Sequence, residues 1–516
     1  MFTPAVIGIT DEADSKFNSE LGRHAFPRLQ CLGLIYFGEI RGVDNTDEIH
    51  DLAITDDVFK VLAPEGPPSA STLSNFMKDD ENETFLKLEM ASLLPLIDYY
   101  FLEYTGDNYL DGTDALVNAS VNYLIHEDEI EALKLMNKWN LIHDLSDSQM
   151  RKVTARVKCK LRMYKNNPKI TRLIGLILKR IKLYNKYVFS KIDKFEEALV
   201  DSNKPYVPVN FPEGTKIKSK RGKWDVGLNV QELMSSNNIA LSSALLRKPN
   251  DFGTLEELTE HFEHNLEILI DLQKKFGERE NPAELKKIFF KSKTWCDSGY
   301  DDDKNRETCI KSEFNFMVIP KKLSTQINKE LRKRNTLFTN EDSKKGKKKS
   351  KSSCKKKTDE ELDDISITDC IRIINGYICP YGHIIKLIAV KDSNCKDNKK
   401  EDLIEELVKK NHIHKCEDCS GCPYLLKYGK KCSVARYTEP ISEYMYKLTN
   451  SFLDEENQNR YSKRFPVSEG INGYLKGKKG ILRLWGNNLQ TAQNHLHIKT
   501  TIFNIKRFVK LKGSAY

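Results

Sequence analysis

The sequence GKWDVGLNVQ, residues Gly222–Gln231, begins the part of the chain whose pattern decides the fold. It predicts a strand, and the apolar run Ile239–Leu246 predicts a second one. A helix is predicted over Leu255–Phe276, because its apolar residues recur at intervals of three and four. Two more strands are predicted, one ending at Asp297 and one over Phe314–Pro320. Strands that alternate with helices are typical of an α/β fold.

A further segment precedes these predicted strands and helices. It begins with the sequence DNYLDGTDALVNASVNYL, residues Asp107–Leu124. Tyr109 and Leu110 predict a short strand, Asp111-Gly112 a tight turn at its end, and Val117–Leu124 a second strand. A helical insert is predicted from about residue 126 to 208. It contains a long amphipathic helix over Lys169–Leu199, whose other faces are rich in lysine and arginine.

Residues 1–105 are predicted to be all helical. In PPSASTLSNFM, Pro67–Met77, Ser69 or Ser71 is placed to cap a helix that carries Leu73 and Phe76 on its inward face. Such a helix could belong to an ordinary bundle or form half of a helix-turn-helix that binds DNA.

The composition changes between residues 326 and 435. The tract SKKGKKKSKSSCKKK, Ser343–Lys357, is too polar to form a core and predicts a disordered or DNA-facing loop, and a cysteine-rich module follows it. Ordered pattern returns over residues 436–516, with a strand at Ile481–Trp485 and a helix from about Leu489 to Leu511. The predicted domains are therefore residues 1–105, 106–325, 326–435 and 436–516.

The overall charge and hydrophobicity limit the class of protein. The chain has 83 basic and 74 acidic residues, a net charge of +9 that permits nucleic-acid binding. No apolar run reaches the roughly 18 residues needed to cross a bilayer, and no secretory signal is apparent. We therefore expect no membrane association, a cytoplasmic location, and reduced cysteines.

Three acids lie in similar settings: Asp111 in YLDGT, Asp297 in WCDSGY and Glu469 in VSEGING. In each segment an apolar or β-prone residue shortly precedes the acid and a small residue follows it, which predicts a carboxylate at the end or edge of an element. Three converging carboxylates can hold two Mg²⁺ or Mn²⁺ ions and support phosphoryl transfer. The alternative is that they are ordinary turn and helix-capping residues.

These segments resemble those of DDE transposases from bacterial and archaeal insertion sequences. The family's first acid lies in a segment matched by Asp111-Gly112-Thr113 and Asn118-Ala119, and its G-Y-N-x-Q strand is similar to Gly227–Gln231. Its second acid lies in a segment like Asp297–Asp301, followed by a strand ending at Ile319-Pro320. Asp114 stands where the family often has lysine, and Leu228 replaces the usual tyrosine.

The third acid of the family belongs to a tyrosine, arginine, glutamate and lysine signature. Tyr461, Arg464, Glu469 and Lys476 match it in order, with six residues between Glu469 and Lys476. Four residues separate Arg464 from Glu469, where related transposases often have three. This difference in spacing affects the match of Tyr461 and Arg464 to the signature more than the match of Glu469.

The resemblance implies an RNase H-like catalytic core, a helical DNA-binding region at the amino terminus and a cysteine-rich insert. Asp111 and Asp297 would bind one metal ion and Glu469 would complete a second site, while Arg464, Lys476 and Tyr461 would contact DNA. Water would nick the end of the element, and the freed 3′ hydroxyl would attack target DNA. The implied partners are transposon ends, target DNA and further copies of the chain, in the nucleoid. An inactive DNA-binding relative and a nuclease that never joins strands are the alternatives.

The segment CEDCSGCPYLLKYGKKC, Cys416–Cys432, indicates a metal site. Cys-x₂-Cys spacing allows two thiolates to bind one tetrahedral zinc ion, so a structural zinc site is predicted. The proposed ligands are Cys416, Cys419, Cys422 and Cys432. One of them could be replaced by Cys379, Cys395, His383, His412 or His414, and an iron-sulfur cluster is the alternative cofactor.

Overall fold

The computed structural model describes residues 2–17, 26–97, 106–126, 206–324, 370–392 and 405–513, with short gaps, and a few isolated positions elsewhere. The gaps fall at residues 44, 65, 79–82, 118, 120–123, 219–223, 249, 278–283, 322, 419, 478–481 and 487. The chain forms two compact units. Unit 1 comprises Met1–Thr105, Tyr109–Phe289 and Val467–Tyr516, and unit 2 comprises Gly106–Asn108 and Phe290–Pro466.

The amino-terminal part of unit 1 is helical, as predicted. Its helices are α1 (Phe2–Phe17), α2 (Arg28–Arg41), α3 (Thr46–Thr55), α4 (Asp57–Leu62), α5 (Ala70–Phe76) and α6 (Thr84–Leu93). The predicted cap of α5 is confirmed, since Ser69 Oγ accepts a hydrogen bond from the Thr72 amide at 3.1 Å. Leu73 and Phe76 are buried on the inward face of this helix.

Among the described strands of unit 1, strand β5 has the largest number of neighbouring strands within that unit. The strands are β1 (Asp107–Leu116, entering from unit 2), β2 (Leu124–His126), β3 (Tyr206–Pro208), β4 (Thr215–Lys218), β5 (Trp224–Ser235), β6 (Ala240–Leu246) and β14 (Leu482–Arg483). β5 is antiparallel to β4 and β6 and also neighbours β1. β14 pairs in parallel with the end of β1, and β2 and β3 form a separate pair.

Two long helices complete the core of unit 1. They are α7 (Leu255–Phe276), which matches its predicted bounds, and α14 (Leu489–Gly513). Both pack against α6 and β6. The regular spacing of apolar residues in α7 places one face in the core; its buried apolar residues are Leu255, Leu258, Phe262, Leu266, Leu269 and Leu272.

Unit 2 contains a short parallel pair and a separate antiparallel sheet. The parallel pair is β7 (Lys293–Cys296) with β8 (Asn315–Val318); α8 (Glu284–Lys291) precedes it, and α9 (Asp303–Lys311) connects its strands. The sheet has the order β13-β12-β11-β10-β9. Its strands are β9 (Ile371–Ile373), β10 (Gly376–Ile378), β11 (Ile384–Asp392), β12 (Lys409–Cys416) and β13 (Arg436–Ser442).

Helices follow and interrupt this sheet. α10 (Pro423–Tyr428) lies between β12 and β13, and α11 (Glu443–Leu453) and α12 (Glu455–Ser462) come after β13. α13 (Arg464–Lys476) begins in unit 2 and continues in unit 1. The described chain is therefore a mixed α/β protein.

Three sequence predictions need correction. Asp111 lies inside the ten-residue β1 rather than at a turn that ends it, because the strand continues to Leu116. Of the strand predicted over Val117–Leu124, Val117 and Ala119 do not belong to a strand and Leu124 begins β2, while residues 118 and 120–123 lie outside the described residues. Glu469 lies in the middle of α13, so it is neither at an element's end nor a helix cap.

Some predictions fall on other parts of the chain. The long amphipathic helix at 169–199 and the lysine-rich tract at 343–357 lie outside the described residues, apart from isolated positions of the helix. Among the helices that are described, none is both long and apolar enough to span a membrane.

Candidate active site

The first predicted acid, Asp111, is held by the helix that carries the third. Asn472 Nδ2 in α13 donates a hydrogen bond to Asp111 Oδ2 at 3.2 Å. Asn472 follows Glu469 by three residues, which is about one helical turn. Within unit 1, strand β1 and helix α13 are therefore joined next to both carboxylates.

Gly112 lies against a polar cluster formed by β5 and the loop after β6. Asn229 Nδ2 and Gln231 Nε2 both donate to Asp251 Oδ1, at 3.0 and 2.7 Å. A Cβ atom on Gly112 would lie 2.7 Å from Gln231 Nε2 and 2.8 Å from Asp251 Oδ1. The close approach explains a glycine directly after Asp111, since any side chain there would displace this cluster.

Helix α13 presents Glu469 to solvent. Its buried residues are Val467, Ser468, Ile471, Asn472 and Leu475, whereas Glu469 is exposed. Pro466 is accommodated in the first turn, where its missing amide hydrogen is not required. Lys476 ends the helix, where a positive charge interacts favourably with the helix dipole. Glu469 and Lys476 are seven residues apart and so lie on the same side of α13.

In unit 2, Asp297 interacts electrostatically with Tyr461, which is close to Arg464. Burial raises the pKa of Tyr461, Arg464 acts against this rise, and the charge of Asp297 adds to it. The Arg464 guanidinium lies 5.7 Å from the centre of the Tyr461 ring. Tyr461 is only 4% exposed and packs against Phe452 and Trp295. Trp295 is itself fully buried and is a core residue.

Asp297 differs from the aspartates that follow it. It comes directly after β7, and its Oδ1 accepts a hydrogen bond from the Gly299 amide at 2.6 Å. Asp301 is buried and pairs with Arg306 at 2.7 Å, and Asp302 caps α9. Asp303 also pairs with Arg306, at 2.8 Å. Asp297 also has a structural contact, since it caps the short 3₁₀ helix Ser298–Tyr300, and it differs from the three later acids in that it directly follows a strand.

Sequence analysis missed Asp107, at the start of β1. Its side chain is 1% exposed and accepts hydrogen bonds from Trp295 Nε1 at 2.6 Å and from Arg460 Nε at 2.9 Å. Arg460 Nη2 lies 2.7 Å from Asp107 Oδ1. This ion pair fixes α12, the helix that carries Tyr461. No local pattern could reveal it, because the two residues are 353 positions apart.

The cysteine-rich segment brings several of its thiols together. Cys379, Cys416 and Cys422 belong to one buried cluster, and Cys432 packs against it. Burial raises the pKa of Cys432, as do the nearby thiols of Cys422 and Cys379. Cys419 lies outside the described residues. Across the described part of the chain, no group of three or more histidine, cysteine or acidic side chains is arranged to hold a metal ion.

Comparison with known proteins supports a transposase. Residues 378–509 match the family model of the transposase DDE domain. The matched range is about a quarter of the 516 residues. It contains the cysteine cluster, Arg464, Glu469 and Lys476, whereas Asp111 and Asp297 precede it. No curated protein and no solved structure matches the chain. The match supports a DNA-cleaving and DNA-joining function in general.

Proposed function

We propose that this chain is a DDE transposase of a bacterial or archaeal insertion sequence, which cleaves the ends of its element and joins them to target DNA. The main observation is the hydrogen bond from Asn472 to Asp111, which ties the strand of the first acid to the helix of the third. The family match, which covers that helix, supports the same proposal.

Asp111, Asp297 and Glu469 are the proposed catalytic acids. Their carboxylates are the hard oxygen ligands that Mg²⁺ or Mn²⁺ prefers. When bound, two such ions would activate the attacking water or hydroxyl and stabilise the leaving oxygen. Asn472 orients Asp111, and the Gly299 amide orients Asp297. Both contacts come from neutral amide groups.

Arg464, Lys476 and Tyr461 are the proposed DNA contacts. Arginine binds a phosphate through two parallel hydrogen bonds, and lysine acts as a point charge. The ring of Tyr461 is buried and lies beside the Arg464 guanidinium. The proposed contribution of Tyr461 is therefore to position that guanidinium.

The remaining parts of the proposal concern architecture. The mixed α/β character of both units supports an RNase H-like core. The helices α1–α6 are the proposed DNA-binding region, and the domain boundaries predicted above stay predictions. We also propose that the active form is a homo-oligomer bound to DNA in the nucleoid.

A direct assay separates this proposal from its alternatives. The protein is incubated with Mg²⁺ and a labelled duplex that carries one end of its own element, and products are resolved on a denaturing gel. A transposase gives a nick and then a joined product. A nick alone favours a nuclease that does not join strands, and binding without either product favours an inactive DNA-binding relative.

The first prediction concerns the second acid. Asp297→Asn should lower cleavage by about 10³-fold or more, equivalent to about 4 kcal/mol of transition-state stabilisation, because an amide is a poor metal ligand. Binding to the element's end should remain within about twofold of the parent. The matched control is Asp303→Asn in the same segment, which should cleave normally. A variant Asp297→Asn that still cleaves would refute the assignment.

We further propose that the cysteine-rich segment holds a structural zinc ion through Cys416, Cys419, Cys422 and Cys432. The clustering of Cys416, Cys422 and Cys432 supports this proposal, and the presence of Cys379 in the same cluster supports it as a substitute ligand. Such a closed site would stabilise the small core around Tyr424. An iron-sulfur cluster is the alternative.

The second prediction is that purified protein contains stoichiometric zinc by elemental analysis. Cys422→Ser should lose most of the zinc and destabilise unit 2, because thiolate binding contributes directly to folding. Cys370→Ser is the matched control, since Cys370 packs against the same cluster but is not a proposed ligand. Bound iron would favour the cluster, and a parent protein without either metal would exclude both sites.

A further inference from the structure

Unit 2 contains a groove on one face of its five-stranded sheet. β11 and β12 form its floor, α11 forms one wall, and its volume is about 1060 Å³. The groove is large enough for a drug-sized or nucleotide-sized molecule, since known ligand pockets measure roughly 300–1000 Å³. All of its lining residues belong to unit 2, and none is among the proposed catalytic acids or the four proposed zinc ligands, although His412 is one of the possible substitutes for a zinc ligand.

The floor of the groove contains a histidine without a hydrogen-bond partner. His412 is 2% exposed, and neither of its ring nitrogens has a partner among the described residues. A neutral imidazole offers one hydrogen-bond donor and one acceptor. A buried polar group of this kind costs folding free energy unless something binds it. The ring therefore points to a ligand with a matching polar edge.

An aromatic ring lies directly against this histidine. The ring centres of His412 and Tyr446 are 4.3 Å apart, with an angle of 34° between their planes. Tyr446 is fixed in turn, because its hydroxyl donates to Asn375 Oδ1 at 3.3 Å and the Arg372 guanidinium lies 5.6 Å from its ring. Val390 lies opposite His412 in the sheet and adds an exposed apolar side chain. The wall therefore combines an aromatic ring that is held in place with an exposed apolar side chain, against which a planar base can pack.

The rim of the groove is positively charged. Three lysines line it, Lys391, Lys410 and Lys447, together with two acids, Asp392 and Glu443. Glu443 lies 2.9 Å from Lys447 and 3.9 Å from Lys410, so it holds the two ammonium groups at the same edge. A phosphate at this edge would interact with both lysines.

We propose that this groove binds one nucleotide of a single DNA strand. The base would pack beside Tyr446 and Val390 with its polar edge at His412, and the phosphate would bind at Lys410 and Lys447. A partly apolar wall with one hydrogen-bond donor and one acceptor, below a basic rim, matches a nucleotide better than an anion or an apolar ligand. The choice of a DNA strand over a free nucleotide rests on the proposed function.

The test uses the full chain carrying Asp297→Asn, so that the probe stays intact. A fluorescein-labelled single strand of about ten nucleotides is titrated at several salt concentrations, and its anisotropy is measured. Lys410→Glu should weaken binding about tenfold and reduce the salt dependence, because at least one phosphate contact is lost. Lys415→Glu is the matched control, since Lys415 is exposed on the alternate face of β12, and its affinity should equal the parent's.

A second variant tests the base contact. His412→Phe keeps a ring of similar size but removes both nitrogens, so it should weaken binding about fivefold without changing the salt dependence. If this variant does not fold, Lys391→Glu at the exposed rim replaces it and should weaken binding severalfold. Equal affinities for Lys410→Glu and Lys415→Glu would overturn the proposal. Tight binding of deoxyadenosine monophosphate that does not compete with the strand would also overturn it and assign the groove to a free nucleotide.

The two proposals can fail separately. If the parent chain does not nick its own ends but Lys410→Glu loses strand binding, the transposase proposal fails and the groove stands. If the parent nicks and joins DNA but neither groove variant changes strand binding, the groove proposal fails and the transposase proposal stands.

Discussion

The start and the middle of β1 each carry an aspartate, and the two environments are opposite. Asp107 is buried and bound by Arg460 and Trp295, whereas Asp111 is partly exposed and contacts the neutral amide of Asn472. Both acids lie in the sequence DNYLD, four residues apart. The contact with arginine gives Asp107 a structural role, whereas the contact of Asp111 comes from a neutral amide, in agreement with the metal-binding role proposed for it.

A third acid extends this comparison. Glu232 in β5 is 1% exposed, and neither of its oxygens has a hydrogen-bond partner among the described residues. Burial raises its pKa well above the usual value, and the charge of Glu89 adds to the rise. Glu89 itself is bound by His497 and accepts a hydrogen bond from Ser243 Oγ at 2.8 Å. Asp107 is thus bound by a cation and Asp111 by an amide, while Glu232 has no hydrogen-bond partner in the described part of the chain.

The largest effect is expected at the buried pair. Asp107→Ala should lower the free energy of unfolding by about 3–5 kcal/mol, because Arg460 would lose its main partner in a buried site. The measurement is urea denaturation at neutral pH. Asp111→Asn in the same strand is the matched control and should unfold within about 1 kcal/mol of the parent while losing DNA cleavage. Equal destabilisation by both substitutions would refute the difference between Asp107 and Asp111.

The next effect is expected at the unpaired acid. The pKa of Glu232 is raised in the folded protein. Its contribution to folding stability is therefore complete at pH values below its pKa in the unfolded chain, and it is lost as the pH rises through its pKa in the folded protein. Glu232→Gln removes this loss, so it should stabilise the protein at pH 8 by about 1–3 kcal/mol and by much less near pH 4.5.

Urea denaturation at both pH values measures this difference. Glu267→Gln, on the exposed side of α7, is the control and should change stability by less than about 0.5 kcal/mol at either pH. A Glu232→Gln variant with the parent's pH dependence would show that Glu232 is not a buried, unpaired acid.

The smallest effect is expected at the amide that orients Asp111. Asn472→Ala should reduce the cleavage rate about tenfold, equivalent to about 1.4 kcal/mol, because Asp111 would no longer be held in one orientation. The dependence of the rate on Mg²⁺ concentration should also shift, which a purely structural role would not produce. Asn472→Gln, which keeps the amide, should restore part of the rate. An unchanged metal dependence in Asn472→Ala would remove Asn472 from the site.

Much of the fold followed from local pattern. The apolar spacing of Leu255–Phe276 predicted α7 with its observed bounds, and Ser69, one of the two candidate caps, is the residue that caps α5. The strands over Gly222–Gln231 and Ile239–Leu246 were also found, with ends displaced by a few residues. Periodicity and capping depend on neighbouring residues, so a sequence shows them directly.

Local pattern failed where a turn signal competed with long-range pairing. Asp111-Gly112 predicted a turn, but β1 continues to Leu116, where β14 pairs with it from far along the chain. Gly112 is required by the polar cluster of Asn229, Gln231 and Asp251 rather than by a turn. Similarly, the glycines around Glu469 did not predict a helix, although α13 includes them because its buried face packs in unit 1.

The sequence by itself determined the strand before Asp297, the resemblance of the three acid segments to transposases, and the cysteine spacing. Only the tertiary structure decided what surrounds each acid. The partner of Asp107 is 353 residues away and that of Asp111 is 361 residues away. Burial and hydrogen bonding between such distant segments set the charge and orientation of a carboxylate, and neither leaves a periodic trace in the sequence.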